Sequence, residues 1–450
     1  MKRYEAYKST GLKWFPEIPN GWEWRFLCQV AQEQIIKKPS GEMYPVMTLS
    51  YGEIKRKKNI DSGLVPSNYD NYQMLYKGNI VLRLIDLQND HTSLRTGLVK
   101  ETGIITSAYT CIAPLENASY IRYLLHSYDT RKVFYGYGGG VRQSIGFKDI
   151  RHLQVPVPPR AEQDQIVRYL DWQVSKINRL IAAKRKQIEL LKEHKEAFIN
   201  TAVTRGVVDD IPLKESGMQW LPKIPAHWRP VPAKALFRNI SELRRDNDPM
   251  FAATQKYGLI EQVEYMRREN RRIVLANDNL DKWLHVEPDD FIISLRSFQG
   301  GLEKCDKPGC VTWHYVVLRP QKYVYPPFYK WLFKSASYIG ALQKTSDFIR
   351  DGQDLRYSNF VKVGLFVIPM TEQVQIADRL DSEIPKYQKA IESLEQEIQQ
   401  IIEYRTRLIF DVVTGQIDVR GIEVPDYEHY DEAPENATEE SSDSDYDTEE

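Results

Sequence analysis

The sequence predicts an α+β protein: two tandem-duplicated α/β domains separated by two long helices that pair antiparallel as a coiled coil, with pseudo-twofold character. Three observations carry this prediction. A tryptophan–proline motif is written twice, a strand-and-turn pattern recurs behind it, and two segments nearly free of glycine and proline keep an apolar period of about 3.5 residues.

The motif comes first because it fixes the repeat. Lys8, Gly11, Trp14, Pro16, Ile18, Pro19 and Trp22 recur as Lys214, Gly217, Trp220, Pro222, Ile224, Pro225 and Trp228, a shift of 206. The same shift carries Tyr51-Gly52 onto Tyr257-Gly258, and the segment 103–109 onto 309–315. Further on the shift is 210: Glu162-Gln163, Gln165-Ile166 and Leu170-Asp171 return as Glu372-Gln373, Gln375-Ile376 and Leu380-Asp381. So long a period excludes a solenoid and implies a duplicated domain.

Each copy divides in two. Residues 20–155 and 227–368 carry short β-branched and aromatic runs (79–84, 104–112, 291–295 and 311–318) separated by turn residues, with a helix expected at 119–134 and its match at 327–341. Residues 161–204 and 371–414 read as helix. The resulting boundaries are 1–158, 159–206, 207–370, 371–415 and 416–450.

The helical seam can be specified residue by residue. Ile177, Ile181, Lys184, Ile188, Leu191, Lys195, Phe198 and Ala202 match Tyr387, Ile391, Leu394, Ile398, Ile401, Arg405, Leu408 and Val412. Pro385 sits where a helix would begin, and Gly206 and Gly415 sit just past helix ends. Two helices that each pack only on their own domain would also be amphipathic, but both seams keep register through the duplication. A simple antiparallel alignment brings Arg405 near Lys184, so either the stagger differs or these side chains reach water.

Composition narrows the class of function. The 450 residues are 42% hydrophobic and 11% aromatic, enough for globular cores. No window resembles a membrane span or a signal peptide, and four cysteines fit a reducing, cytoplasmic setting. The net charge of −1 hides an asymmetry, because residues 421–450 hold thirteen Asp or Glu and no Lys or Arg. The rest has 61 basic residues against 49 acidic, which favours a polyanionic partner. The acidic end reads as a disordered, solvated tail, or as a competitor with DNA for basic surfaces.

No motif announces catalysis. A phosphate-binding loop, a dinucleotide fingerprint and the Asn-Pro-Pro-aromatic motif of amino-methylating DNA enzymes are all missing. Gly136 to Gly140 reads as a loop, and Cys305 and Cys310 lack a second ligand pair for zinc. Nucleic-acid features, in contrast, come in pairs. Lys55, Arg56, Lys57 and Lys58 follow Tyr51-Gly52; Lys256, Tyr257, Arg267, Arg268, Arg271 and Arg272 form the corresponding group. Candidate base readers are Arg83, Asp86 and Gln88 against Arg296 and Gln299, then Thr106, Ser107 and Tyr109 against Thr312, Trp313, His314 and Tyr315. Arg142 and Gln143 form a last group, with Arg350 and Arg356 near the matching place. Each residue taken singly fits a structural salt bridge or a core aromatic equally well.

From Lys8 to about Gly415 the chain resembles the specificity subunit of type I restriction-modification systems, HsdS. The resemblance rests on Gly11, Trp14, Ile18, Pro19 and Trp22 with their repeat, and on Pro158-Pro159 leading to Glu162-Gln163, Ile166 and Leu170-Asp171. Ala202, Thr204 and Gly206 complete it; Ile368-Pro369-Met370 departs from the double proline. The resemblance implies two target recognition domains reading one bipartite, asymmetric site on double-stranded DNA. It also implies a helical spacer that docks two methyltransferase subunits and, through the complex, restriction/translocase subunits. Such a chain carries no cofactor and no chemistry; S-adenosylmethionine, ATP and Mg belong to its partners. The seam from 177 to 202 is roughly 38 Å long at ~1.5 Å per residue, close to the ~34–36 Å of one duplex turn. A non-catalytic coiled-coil scaffold and a self-sufficient DNA methyltransferase remain as competing readings.

Overall fold

The computed structural model describes residues 2–12, 14–57, 69–85, 87, 94–137, 145–208, 210–254, 256–269, 279–294, 297–345 and 355–430. They form two compact units, one of residues 1–185 with 395–450 and one of residues 186–394. Each unit holds one strand-rich domain and one portion of each of two long helices, Arg160–Arg205 and Met370–Val413.

The two domains repeat one antiparallel topology. In the first unit a four-stranded sheet runs in the order Ala31–Glu33, Thr110–Pro114, Ile80–Leu82, Thr96–Leu98. In the second the order is Phe237–Ile240, Val316–Pro320, Phe291–Ile293, Glu303–Lys304. Two-stranded ribbons recur as well: Met47–Ser50 with Glu53–Arg56 matches Phe251–Thr254 with Gly258–Glu261, and Tyr72–Leu75 with Gly103–Thr106 matches Leu284–Val286 with Gly309–Val311. The apolar runs at 104–112 and 311–318 each break into two strands. The break is a turn closed by the Tyr109 N–H on the Thr106 carbonyl, or by the Tyr315 N–H on the Thr312 carbonyl, and neither turn contains glycine or proline. The helix expected at 119–134 is Ala118–Thr130 followed by a short 3-10 turn, Val133–Tyr137; its counterpart is two helices, Pro326–Phe333 and Ala336–Gln343.

The repeated tryptophan–proline motif fastens these domains to the helices. Trp22 and Trp228 are fully buried, and their indole N–H groups donate to Glu162 and Glu372, each at 3.1 Å, in the first turns of the two long helices. Against the same tryptophans lie Gly415 and Gly206, which end the helices with φ of 74° and 85°. A Cβ on Gly415 would stand 2.5 Å from Pro19 Cδ, so both conformation and space demand glycine there. The neighbouring motif residues act in parallel. Gln163 accepts from Asn117 N–H and donates to the Pro158 carbonyl; Gln373 accepts from Tyr325 N–H and donates to the Ile368 carbonyl. Asp171 accepts from the Tyr123 hydroxyl at 2.7 Å, and Asp381 from the Trp331 indole at 2.9 Å.

Within each unit the helix portions run antiparallel. In the first, Arg405 donates to Asn178 at 2.7 Å and Lys184 pairs with Glu397. In the second, Tyr387 meets His194 and Phe198, while Arg379 donates to the Val207 carbonyl. Ile177, Ile181, Ile188, Ile391, Ile398, Leu408 and Val412 are buried, and Leu191, Phe198, Tyr387, Leu394 and Ile401 are partly so. The stagger therefore differs from simple alignment: Arg405 lies at Asn178 rather than Lys184, and each cation of that pair finds a polar partner. Pro385 does not start the second helix but lies inside it. It removes the bond to the carbonyl of Asp381, on a turn where Asp381, Ser382 and Pro385 are exposed and water can replace the lost donor, while buried Leu380 and Ile384 hold the helix to its domain.

The expectation of disorder from residue 416 onward is corrected for 416–430. Gln165 donates to the carbonyls of Val419 and Ile422, and Ser175 both donates to the Glu428 carbonyl and accepts from Tyr430 N–H. Composition missed this strap because its backbone, not its acidic side chains, makes most of the bonds. Residues 431–450 lie outside the described ones.

Replacing Glu372 by alanine strands the buried Trp228 N–H, which should cost about 1–3 kcal/mol of stability. Urea unfolding should show the loss, with partial recovery in Glu372→Gln; an unchanged midpoint in both variants would contradict the joint.

Candidate nucleic-acid interface

Strand direction decides which candidate residues meet. An isolated parallel bridge, Val46↔Ile104, aligns the ribbon 47–56 with the strand 103–106, so both turns that follow point the same way. Met250↔Cys310 does the same in the second unit. Tyr51 and Gly52, both with positive φ, form a two-residue hairpin turn, and Tyr51 is 46% exposed. Ser107 is exposed on the adjacent turn. Arg83 follows Leu82, which pairs with Thr110, and so stands beside that turn. In the second unit Ile293 pairs with Val316, at the end of the turn formed by Thr312, Trp313, His314 and Tyr315, and Gln299 is exposed.

The basic runs divide. Lys57 N–H bonds the Val46 carbonyl, so Lys55, Arg56 and Lys57 run toward the root of their ribbon, with Lys57 roughly 17 Å from its tip at ~3.3 Å per residue. Lys55 pairs with Glu53 at 2.7 Å, and Arg56 Nε reaches Glu101 at 2.7 Å. The matching group sits differently. The helix Gln262–Glu269 folds back on Tyr257, whose hydroxyl donates to Glu269 at 2.8 Å, and Lys256 shares that carboxylate at 2.9 Å. Arg268 lies 5.2 Å over the Tyr257 ring. Arg267 and Arg268 both bond Glu264, and those bonds pull its carboxyl down to about 2. The second unit thus gathers cations at its ribbon tip, and the first keeps them at the root.

Two aromatics change role. Tyr109 and Tyr315 are partly buried against the cores beneath their turns, so they anchor the turns rather than project from them. Arg356 caps the short helix Tyr357–Phe360, with its N–H on Asn359 Oδ1. Lys58, Asp86, Gln88, Arg142, Gln143, Arg271, Arg272, Arg296 and Arg350 lie outside the described residues.

Two positioning residues carried no sequence signal. Gln73, nearly buried, donates from one amide nitrogen to the carbonyls of Thr106 (3.1 Å) and Tyr109 (2.5 Å), gripping the turn from inside. Arg95 is fully buried, and its guanidinium donates to the carbonyls of Arg83 and Ile85 at 3.1 and 2.8 Å. An arginine before a strand reads as a solvated charge; only the fold shows it fixing the backbone around the candidate Arg83. Among the described residues no three His, Cys, Asp or Glu side chains are placed to hold a metal ion, and no helix is long and apolar enough to cross a membrane. Burial pushes the thiols of Cys111 up to about 12 and of Cys305 and Cys310 up to about 11.

Known proteins resemble this chain along most of its length. The family described as type I restriction modification DNA specificity domain matches residues 28–190. The type I restriction enzyme MjaX specificity subunit of Methanocaldococcus jannaschii is 25% identical over 313 residues, covering 67% of this chain and 68% of that protein. A solved chain from work on assembly and conformational transition of a type I R-M system superposes with a TM-score of 0.62 at 14% identity. It covers 89% of this chain and 99% of that one, and the likeness is one of fold.

One buried network sets a matched pair of positions in the two domains apart. His285, 1% exposed, is held by Asp248 at Nδ1 (2.7 Å) and by Glu287 at Nε2 (2.9 Å). The pairings Ile104↔Met74 and Cys310↔His285 make Met74 its counterpart, and Met74 lies in an apolar cluster. Burial alone lowers the His285 pKa, but the hydrogen bonds its ring donates to Glu287 and Asp248 outweigh it and the pKa is raised; Glu287 is lowered in return, mainly by its bond to His285. A raised histidine stabilises the fold fully below its unfolded pKa of about 6.5, and that stability is lost as pH rises through the folded value. The lowered Glu287 acts at the other end, its contribution lost as pH falls through its folded value. The stability difference between wild type and His285→Gln should therefore peak in mildly acidic solution and shrink toward pH 9. Unfolding midpoints measured across that range would contradict this if the difference stayed constant.

Proposed function

We propose that this chain is the DNA sequence-recognition subunit of a type I restriction-modification complex, and that its two domains each read one half of a bipartite, asymmetric site; the likeness of residues 28–190 to the specificity-domain family and of 313 residues to a specificity subunit supports this reading. One observation carries the proposal. The same topology ends twice in the same turn, with Ser107 and Ala108 at the corners of one and Trp313 and His314 at the corners of the other. Recognition needs this combination of a constant frame and variable side chains at its rim. Cations near the rim, above all Arg267 and Arg268, would position phosphate while the corner residues meet base edges.

The chain supplies no reaction on this reading. The antiparallel helices serve as the spacer and dock two methyltransferase subunits; restriction/translocase subunits join the same complex. Methyl transfer to adenine belongs to those partners, which hold S-adenosylmethionine, while ATP and Mg serve the translocase. This chain's residues orient the duplex and fix which bases are presented. The scaffold reading gives no reason for two unlike sets of corner residues on one frame, and a self-sufficient methyltransferase would need a cofactor motif that the sequence lacks. A cytoplasmic setting follows from the DNA partner.

Domain exchange tests the proposal. Replacing residues 20–155 by the corresponding domain of a relative should change one half of the methylated site and leave the other half intact. Mapping of methylated adenines that found both halves altered would defeat the modular reading.

A further inference from the structure

Tight turns between strands favour small or polar corner residues, because the corner is left in water. The first unit obeys this rule with exposed Ser107 and Ala108. The second unit keeps the turn, closed by Tyr315 N–H on the Thr312 carbonyl at 3.0 Å, yet carries Trp313 and His314 at its corners. Their rings are stacked, with centroids 3.5 Å apart and planes 29° apart, and 43% of Trp313 is exposed. The turn itself has no need of the pair: Thr312 and Tyr315 close it as Thr106 and Tyr109 close the other, and Tyr315 packs on the core below.

We propose that Trp313, propped by His314, is a stacking wedge that the second domain sets against an unstacked base step in its half of the DNA target. The inference rests on the DNA-reading function proposed above and deepens it. The surroundings fit that occupant. The parallel bridge Met250↔Cys310 aims the ribbon ending at Lys256 and Tyr257 in the same direction, and the helix 262–269 brings Arg267 and Arg268 to that tip. Cations able to meet phosphate therefore flank an aromatic face able to meet a base. A protein partner would call for a broader apolar patch; a single projecting ring pair suits the gap between two bases, where apolar wedges enter and unstack a step. Because the rings are already stacked and their backbone is fixed by the turn, little side-chain freedom is lost on insertion. The matching turn of the first domain carries Ser107 and Ala108 in place of the ring pair, so at this turn the two halves of the site are read by different physics: polar contact on one side, stacking and deformation on the other.

The test uses the chain reconstituted with its methyltransferase subunits, on the duplex defined by methylation mapping, with 2-aminopurine placed in turn at each step of both half-sites. The wild-type complex should raise the fluorescence at one step of one half-site. Trp313→Ala should abolish that rise and weaken specific binding roughly ten- to hundredfold, the range for loss of one base–aromatic stack. Trp313→Phe should keep the signal, His314→Ala should reduce it, and thermal unfolding of all three should match wild type. A Trp313→Ala complex that selects the site with unchanged affinity and fluorescence overturns the wedge and leaves the DNA-reading function standing. Loss of subunit assembly with DNA readouts intact overturns it too. A wild-type complex with no sequence preference overturns the proposed function and the wedge together.

Discussion

Everything the two domains do depends on how a buried tryptophan joins them to the long helices. The indole N–H of Trp22 or Trp228 ends on a carboxylate in the first turn of one helix, and its ring lies against the glycine that terminates the other. One side chain thereby fixes the start of one helix and the end of its neighbour relative to a domain core. Partial positive charge gathers at a helix N-terminus, which favours a carboxylate there, and an indole can answer that carboxylate only if it is buried beside it. Around this joint the glutamine and aspartate of the same motifs bond domain backbone and side chains, so the attachment has several independent points.

The helices add a second constraint through their few polar seam positions. An apolar seam alone tolerates slippage by a turn, whereas a cation in a seam is costly unless its partner is present. Arg405 on Asn178 and Lys184 on Glu397 specify one stagger and penalise the others. The strap of residues 416–430 then covers part of the first helix, its backbone held by Gln165 and Ser175.

Much of this was legible from residue order alone. The duplication, the helices, their glycine ends and the seam follow from spacing, which is local information. What the motif residues do was not legible: Trp22, Glu162, Gln163 and Asp171 look like signatures, and they are fasteners. The rim was only half legible. Tyr51, Ser107 and Trp313 could be picked out as candidate DNA contacts, but the turns at 107 and 313 interrupt runs that read as single strands, and the strand direction that brings turns to one edge depends on the bridges Val46↔Ile104 and Met250↔Cys310. The basic run after Tyr51-Gly52 has no direction in sequence; the hairpin carries Lys55, Arg56 and Lys57 toward the root of its ribbon. Pro385 misled for a related reason, since a helix already anchored on both sides absorbs a missing hydrogen bond that an isolated one would not.

In the proposed function the antiparallel helices act as a ruler, and a ruler can be cut. Deleting matched heptads 185–191 and 391–397 should shorten the strut by about 10 Å at ~1.5 Å per residue, with the seam otherwise kept in phase. Methylation mapping should then find both half-site sequences unchanged and the gap between them shorter by about three base pairs, at ~3.4 Å each. A complex that still methylates the original spacing would contradict the account at its centre.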